Sequence, residues 1–189
     1  AKLAFSGGVL SEAPLRLCAG LAAGEHGDAR RALDLLRVAG ELAQREGART
    51  IEEDHVRRAQ HKIEHDRVAE VLKSLPVHSK VVLVCAYLAS NHTPEGVITG
   101  DIYEVYHELC NVAGIDALTQ RRVSGLVNEL DVMGILNARV VSFGRYGRTK
   151  KIRLGVSPRV VVETYSEDTL VGRLFGHVAR SLQKRASKA

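Results

Sequence analysis

Cysteine is scarce in this chain and poorly placed for cross-linking. Cys18, Cys85 and Cys110 are odd in number, far apart and never in a CxxC pair, which argues against a disulfide framework or a structural zinc site and leaves buried free thiols as the expectation. No run approaches the roughly 18 uninterrupted apolar residues that a membrane-spanning helix needs. The first residues also lack the basic-then-apolar order of a secretion signal. The expectation is a soluble, intracellular protein with no membrane partner. Gly-Lys occurs nowhere, so there is no G-x-x-x-x-G-K-[ST] loop. No local Ser/His/Asp or Cys/His pattern signals nucleophilic catalysis, and no catalytic residue is assigned. His61 and His65 stand four apart, a metal-capable spacing, but no third ligand is evident and Arg67 lies close by, so no metal is expected. Internal repeats and low-complexity linkers are absent as well.

What remains is a chain of 189 residues, 45% hydrophobic, enough for real cores in one ordinary domain or two small ones. Its net charge of +5 conceals a split. Residues 1–118 carry 13 Lys/Arg against 17 Asp/Glu, a net of −4, whereas residues 119–189 carry 14 against 5, a net of +9. Cations clustered in one half point to a polyanionic partner, because each phosphate they neutralise releases counterions.

Residues 1–24 read as short helical pieces. From Asp28, the residues Ala29, Ala32, Leu33, Leu36, Ala39 and Ala43 share one helical face, and Arg30, Asp34, Arg37 and Glu41 the opposite one. Gly47 ends that helix. Thr50 and Glu53 have the spacing of a capping box, predicting a second helix from about Ile51 to about Ser74, stopped by Pro76. The run VVLVCAYLA then predicts a buried helix within 78–90, broken by Thr93, Pro94 and Gly96. A helix over about 100–113, closed by Gly114, follows. Next comes a helix capped by Thr119, with Val123, Leu126, Val127, Leu130 and Met133 as its apolar stripe and Gly134 at its end.

Beyond Gly134 the period falls from 3.6 to 2. Residues 135–143 and 149–156 alternate around GRYGR and predict a β-hairpin. Residues 158–182 return to a helical pattern, and a basic tail ends the chain. The fold class expected is mainly α with a small β-hairpin: a helical domain over residues 1–75, a winged helix-turn-helix over 76–174 and a tail over 175–189. In such a domain the third helix enters the major groove of DNA and the hairpin reaches the adjoining backbone.

A wheel of residues 120–133, at about 100° per residue, turns Arg121, Ser124, Gly125 and Asn128 away from the apolar stripe. Arg121 is then placed to donate a fork to guanine and Asn128 to pair with adenine through both ends of its amide. Arg122, near the apolar boundary, suits a phosphate, and Gln120 takes the other flank. Arg145, Tyr146 and Arg148 in the turn, with Lys150 and Lys151 beside it, suit a tip that straddles phosphates or enters a minor groove. Read from residues alone, a winged-helix transcription regulator and a protein-docking module also stand as alternatives.

HGDARRALDLLRVAGELAQREGA, then TIEEDHVRRA, then SLPVHSKVVL leading into the winged helix, together resemble the archaeal origin-recognition and licensing initiators, AAA+ ATPase relatives of the eukaryotic origin-recognition complex. The resemblance covers about Ala1 to Leu174. It implies that residues 1–75 form the lid that carries the second sensor, with Arg30 in the place of the sensor arginine and Arg31 the second candidate. The ATPase base is missing from this sequence. The chain is therefore expected to have no cofactor and no catalysis of its own, whereas the intact protein would hold ATP or ADP with magnesium. Without its phosphate, Arg30 is expected to pair with Asp34, one turn on. The partners implied are double-stranded origin DNA and the replicative helicase, and the location is cytoplasmic, at the nucleoid.

Overall fold

A computed structural model describes residues 5, 7–25, 28–90, 95–142 and 148–175. The chain divides into two compact units, residues 1–67 and 68–189.

The first unit is helical. Residues Glu12–Glu25 form one continuous helix, α1, where short pieces were expected. Cys18 and Ala22 are buried, with Leu15 and Leu21 half-buried beside them, so the stripe runs past Gly20 without a break. Helix α2, Ala29–Arg45, opens on Asp28, whose carboxylate accepts the Arg30 N–H at 2.9 Å. Its buried face is Leu35, Leu36, Val38, Ala39 and Ala43. Leu33, predicted on that face, is 55% exposed. The apolar face is thus centred past Leu33, on the side that Leu35 and Val38 complete.

Helix α3 spans Glu53–Ser74, and the division between units falls within it. The predicted Thr50–Glu53 box does not form. Thr50 Oγ1 donates to Glu52 at 2.7 Å, and the Glu52 N–H donates to Nδ1 of His55 at 2.9 Å. His55, buried, thus does the work expected of Glu53, two residues on. Because Nδ1 accepts, the ring proton sits on Nε2, which faces Glu46 Oε2 at 3.3 Å. Arg58 holds the same carboxylate with two nitrogens, at 2.6 and 2.9 Å, joining the end of α2 to the start of α3. That pair keeps the Glu46 carboxyl below its usual range.

The second unit is built around α4, Val77–Ser90, which is buried almost all round: residues 81–86 are wholly enclosed. Helices α5, Thr99–Ala113, and α6, Gln120–Val132, follow. Strand β2, Leu136–Ser142, and strand β3, Arg148–Leu154, form the expected hairpin, antiparallel from Leu136↔Leu154 to Ser142↔Arg148. A two-residue strand that the periodicity did not reveal, β1, Val97–Ile98, adds to the far edge of β3, giving the order β1-β3-β2. Helix α7, Pro158–Ser166, ends at Glu167; the helical pattern predicted to 182 is interrupted over 167–170 and resumes over 171–175, and residues 176–182 lie outside the described residues. The chain turns at Asp168, whose carboxylate accepts the N–H groups of Leu170 and Val171 at 3.0 Å each and the Lys80 ammonium at 2.8 Å. Burial pushes the Asp168 carboxyl up, but these donors outweigh it and the net shift is downward. All three cysteines are buried free thiols.

Candidate nucleic-acid interface

The loop 115–119 that aims α6 is fastened from α5. The Tyr106 hydroxyl accepts the Leu118 N–H at 3.2 Å and lies 2.8 Å from His78 Nδ1 of α4, while the Tyr103 hydroxyl donates to Leu118 O at 3.3 Å. Burial holds the Tyr106 hydroxyl protonated, raised to about 12. Thr119 then caps α6, accepting the Arg122 N–H at 3.4 Å.

On α6, Val123, Leu126, Val127 and Leu130 are buried, as the spacing predicted. Met133, counted in that stripe, lies one residue beyond the helix and is 57% exposed. Gln120, Arg121, Arg122 and Asn128 are exposed, and Ser124 and Gly125 are half-buried. Two of these side chains are already engaged. Arg122 reaches along the helix to Glu129 at 2.9 Å, its guanidinium passing over Gly125. Asn128 Oδ1 accepts the ammonium of Lys150, from β3. Lys150 thus competes for the carbonyl that the two-ended adenine pair expected of Asn128 would use. Arg121 has no ion pair among the described residues.

In the sheet, residues paired across strands share a face, and neighbours along a strand oppose each other. Lys150 and Arg148 stand on the face of buried Ile152, toward α6, and Arg148 is exposed. Lys151, placed beside Lys150 in sequence, stands on the other face and pairs with Glu95 at 3.2 Å. A single surface containing both lysines is thus corrected by the pleat. Arg145 and Tyr146 lie outside the described residues, as do residues 176–189 of the predicted tail. Arg139 and Arg153, not singled out from the sequence, share the face of Lys151. The alternation of β2 and β3 was the signal that contained them.

In the first unit, Arg30 is exposed at the start of α2 and Arg31 half-buried. The expected Arg30–Asp34 pair is replaced by Arg37, whose Nε lies 3.9 Å from Asp34. An acid on the N-terminal side of its base is the better arrangement on a helix, which favours Arg37 over Arg30. Among the described residues no helix is long and apolar enough to cross a membrane.

Comparison with known proteins matches residues 1–61 to the Cdc6 AAA+ ATPase-type lid domain and residues 70–164 to the CDC6 C-terminal winged helix domain. The ORC1-type DNA replication protein of Thermococcus onnurineus is 58% identical over 168 residues, 89% of this chain and 40% of that protein. Its counterpart in Pyrococcus abyssi is 52% identical over 185 residues, 98% of this chain and 44% of that one. Among solved structures, that of the Aeropyrum pernix ORC1 protein in complex with DNA superposes with a TM-score of 0.77 at 48% identity, covering 90% of this chain and 44% of that one. The chain thus spans about 40% of the length of the curated relatives it matches. It belongs to the ORC1/Cdc6 family of DNA replication proteins, of which it comprises the AAA+ lid and the winged helix.

Proposed function

We propose that this chain binds double-stranded DNA at replication origins, with α6 in the major groove and the β2–β3 hairpin on the adjoining backbone or minor groove. The observation that carries the reading is the contact of Lys150 with Asn128, which gathers the hairpin and the exposed face of α6 to one side of the domain. The net charge of +9 over residues 119–189 supports it, as does the DNA complex of the Aeropyrum pernix relative. Arg121 and Asn128 read base edges; Gln120, Arg122, Ser124, Arg145, Tyr146, Arg148 and Lys150 hold sugar and phosphate, whereas Lys151 stands on the opposite face of the sheet. The relevant domains are residues 1–75 as lid and 76–174 as winged helix, with 175–189 a basic tail.

In the intact protein, Arg30 senses the phosphates of ATP or ADP bound with magnesium, and Arg31 is the second candidate. The fit is that Arg30 is exposed and has no ion pair among the described residues, whereas the sequence supplies no phosphate-cradling loop for the rest of the site. The nucleotide supplies the phosphate charge that the lid registers; this chain by itself performs no hydrolysis. The intact protein works in the cytoplasm, at the nucleoid, and helps to load the replicative helicase. Titration of origin and scrambled duplexes at two salt concentrations tests the DNA reading. Arg121→Ala should cost about 1–3 kcal/mol on the origin duplex, and Arg148→Ala should flatten the salt slope by about one. If neither variant moved affinity or slope, the proposed face would be wrong.

A further inference from the structure

The side of the sheet turned away from α6 is itself basic. Asn137, Arg139 and Val141 of β2 share it with Lys151 and Arg153 of β3, and the five line a shallow cavity of about 290 Å³. Arg139 is directly opposite Lys151, and Arg153 is directly opposite Asn137. Like charges at directly opposed positions, with Cβ atoms about 5 Å apart, destabilise a sheet unless an anion answers them. Glu95 answers in part: its carboxylate takes Lys151, and its main-chain carbonyl accepts Arg153 Nε at 2.9 Å. Arg139 has no ion pair among the described residues, and both arginines are exposed.

Glu95 reaches these cations because Gly96 follows it. Gly96 has φ +97°, and a Cβ there would come within 2.9 Å of both the Arg153 side chain and the Ile152 carbonyl. The turn is therefore pressed against β3, leaving a cleft with two arginines, a half-neutralised lysine and one apolar side chain. Peptide partners are gripped through apolar anchors seated in pockets, which this face lacks. Arginine, lysine and asparagine presented in rows are the groups that hold sugar-phosphate backbone.

We propose that this outer face binds the backbone of a second DNA duplex, so that one winged helix bridges two duplex segments. The proposal rests on the reading that α6 holds the first. A duplex seated on α6 meets the opposite side of the sheet only by bending sharply around it, against a persistence length of about 150 base pairs. A separate segment meets the outer face without bending.

The test titrates the chain with a random-sequence duplex of about 14 base pairs, too short to wrap, and reads stoichiometry by sedimentation at low salt. Wild type should take up two duplexes. Arg139→Ala/Arg153→Ala should take up one, with its tighter affinity held within about twofold. Glu95→Gln should tighten the second binding about threefold, the size of one screened charge interaction at a few ångströms. Arg121→Ala/Arg148→Ala should weaken the first binding and spare the second. A single duplex per wild-type chain, or two on Arg139→Ala/Arg153→Ala, would overturn the second site alone. No duplex bound by wild type would overturn the reading of α6 with it.

Discussion

Lys150 of β3 donates its ammonium to Oδ1 of Asn128 on α6, a bond between residues 22 apart in sequence. It ties the hairpin to the exposed face of the helix. It also biases what Asn128 offers: the ammonium takes one of the two lone pairs of the carbonyl, and the NH2 group is the end left unengaged. A donor alone matches acceptors such as O6 and N7 of guanine or O4 of thymine, whereas adenine read at both N6 and N7 needs the carbonyl too.

Lys150→Ala should therefore move the preference at one base position toward adenine, by about 1–3 kcal/mol. Selection from a duplex pool randomised at each position checks this, with Asn128→Ala as the control that loses discrimination there altogether. An identical profile for wild type and Lys150→Ala would sink the idea.

Arg122 is held by Glu129. Glu129→Gln should release it toward phosphate, strengthening binding to any duplex and steepening the dependence of log K on log salt by about one contact, or 0.9. Fluorescence anisotropy across a salt series measures both. Weaker binding in the variant would mean that the ion pair positions α6 and does not restrain Arg122.

Tyr106 fastens the loop before α6, and burial raises its hydroxyl to about 12, against an ordinary value of about 10. In the unfolded chain the proton leaves first. The stabilisation is thus fully present below about pH 10 and is lost as pH rises toward about 12, to the extent of about 2 kcal/mol. Tyr165 is shifted upward too, by burial and then by the Asp168 charge, and adds in the same direction. Urea unfolding at a series of alkaline pH values should show this decline in wild type and a shallower one in Tyr106→Phe. That variant should also be about 1 kcal/mol less stable near neutrality, for the lost hydrogen bonds. Parallel curves would contradict the assignment to Tyr106.

Gly155 follows β3 and donates its N–H to Ile135 O at 2.9 Å. A Cβ at this position would collide with the carbonyl oxygen of Gly134, a backbone atom with no rotamer to give way. Gly155→Ala should cost about 1–3 kcal/mol in thermal or chemical unfolding. It should also loosen the hairpin relative to α6, seen as faster amide exchange at Ile135 and Leu136. A variant as stable as wild type would show that the two loops separate at little cost.

Much of this molecule follows from spacing along the chain. The stripe Val123, Leu126, Val127 and Leu130 turns to one side of any helix it forms, and the alternation through Ile152 and Leu154 does the same for a strand, so α6 and the hairpin were legible before any contact was known. The lid was legible in the block around Arg30, through resemblance. Packing decided the rest. Which side of α2 faces inward depended on what lay against Leu35 and Val38, which no wheel records. His55 displaced Glu53 as the cap because a buried ring was held there by Glu46 and the turn. Two residues sufficed for β1 because β3 offered an open edge.

The interface divides in the same manner. That Arg121 and Asn128 face outward is a property of helical period. Lys150 and Lys151 part company because a pleat reverses direction at each residue, although adjacency in sequence had suggested a single cluster. Asn128 meeting Lys150, and Arg139 facing Lys151, depend on how far the hairpin folds back and in what register. Periodicity orients a side chain relative to its own element; only the meeting of elements selects its partner.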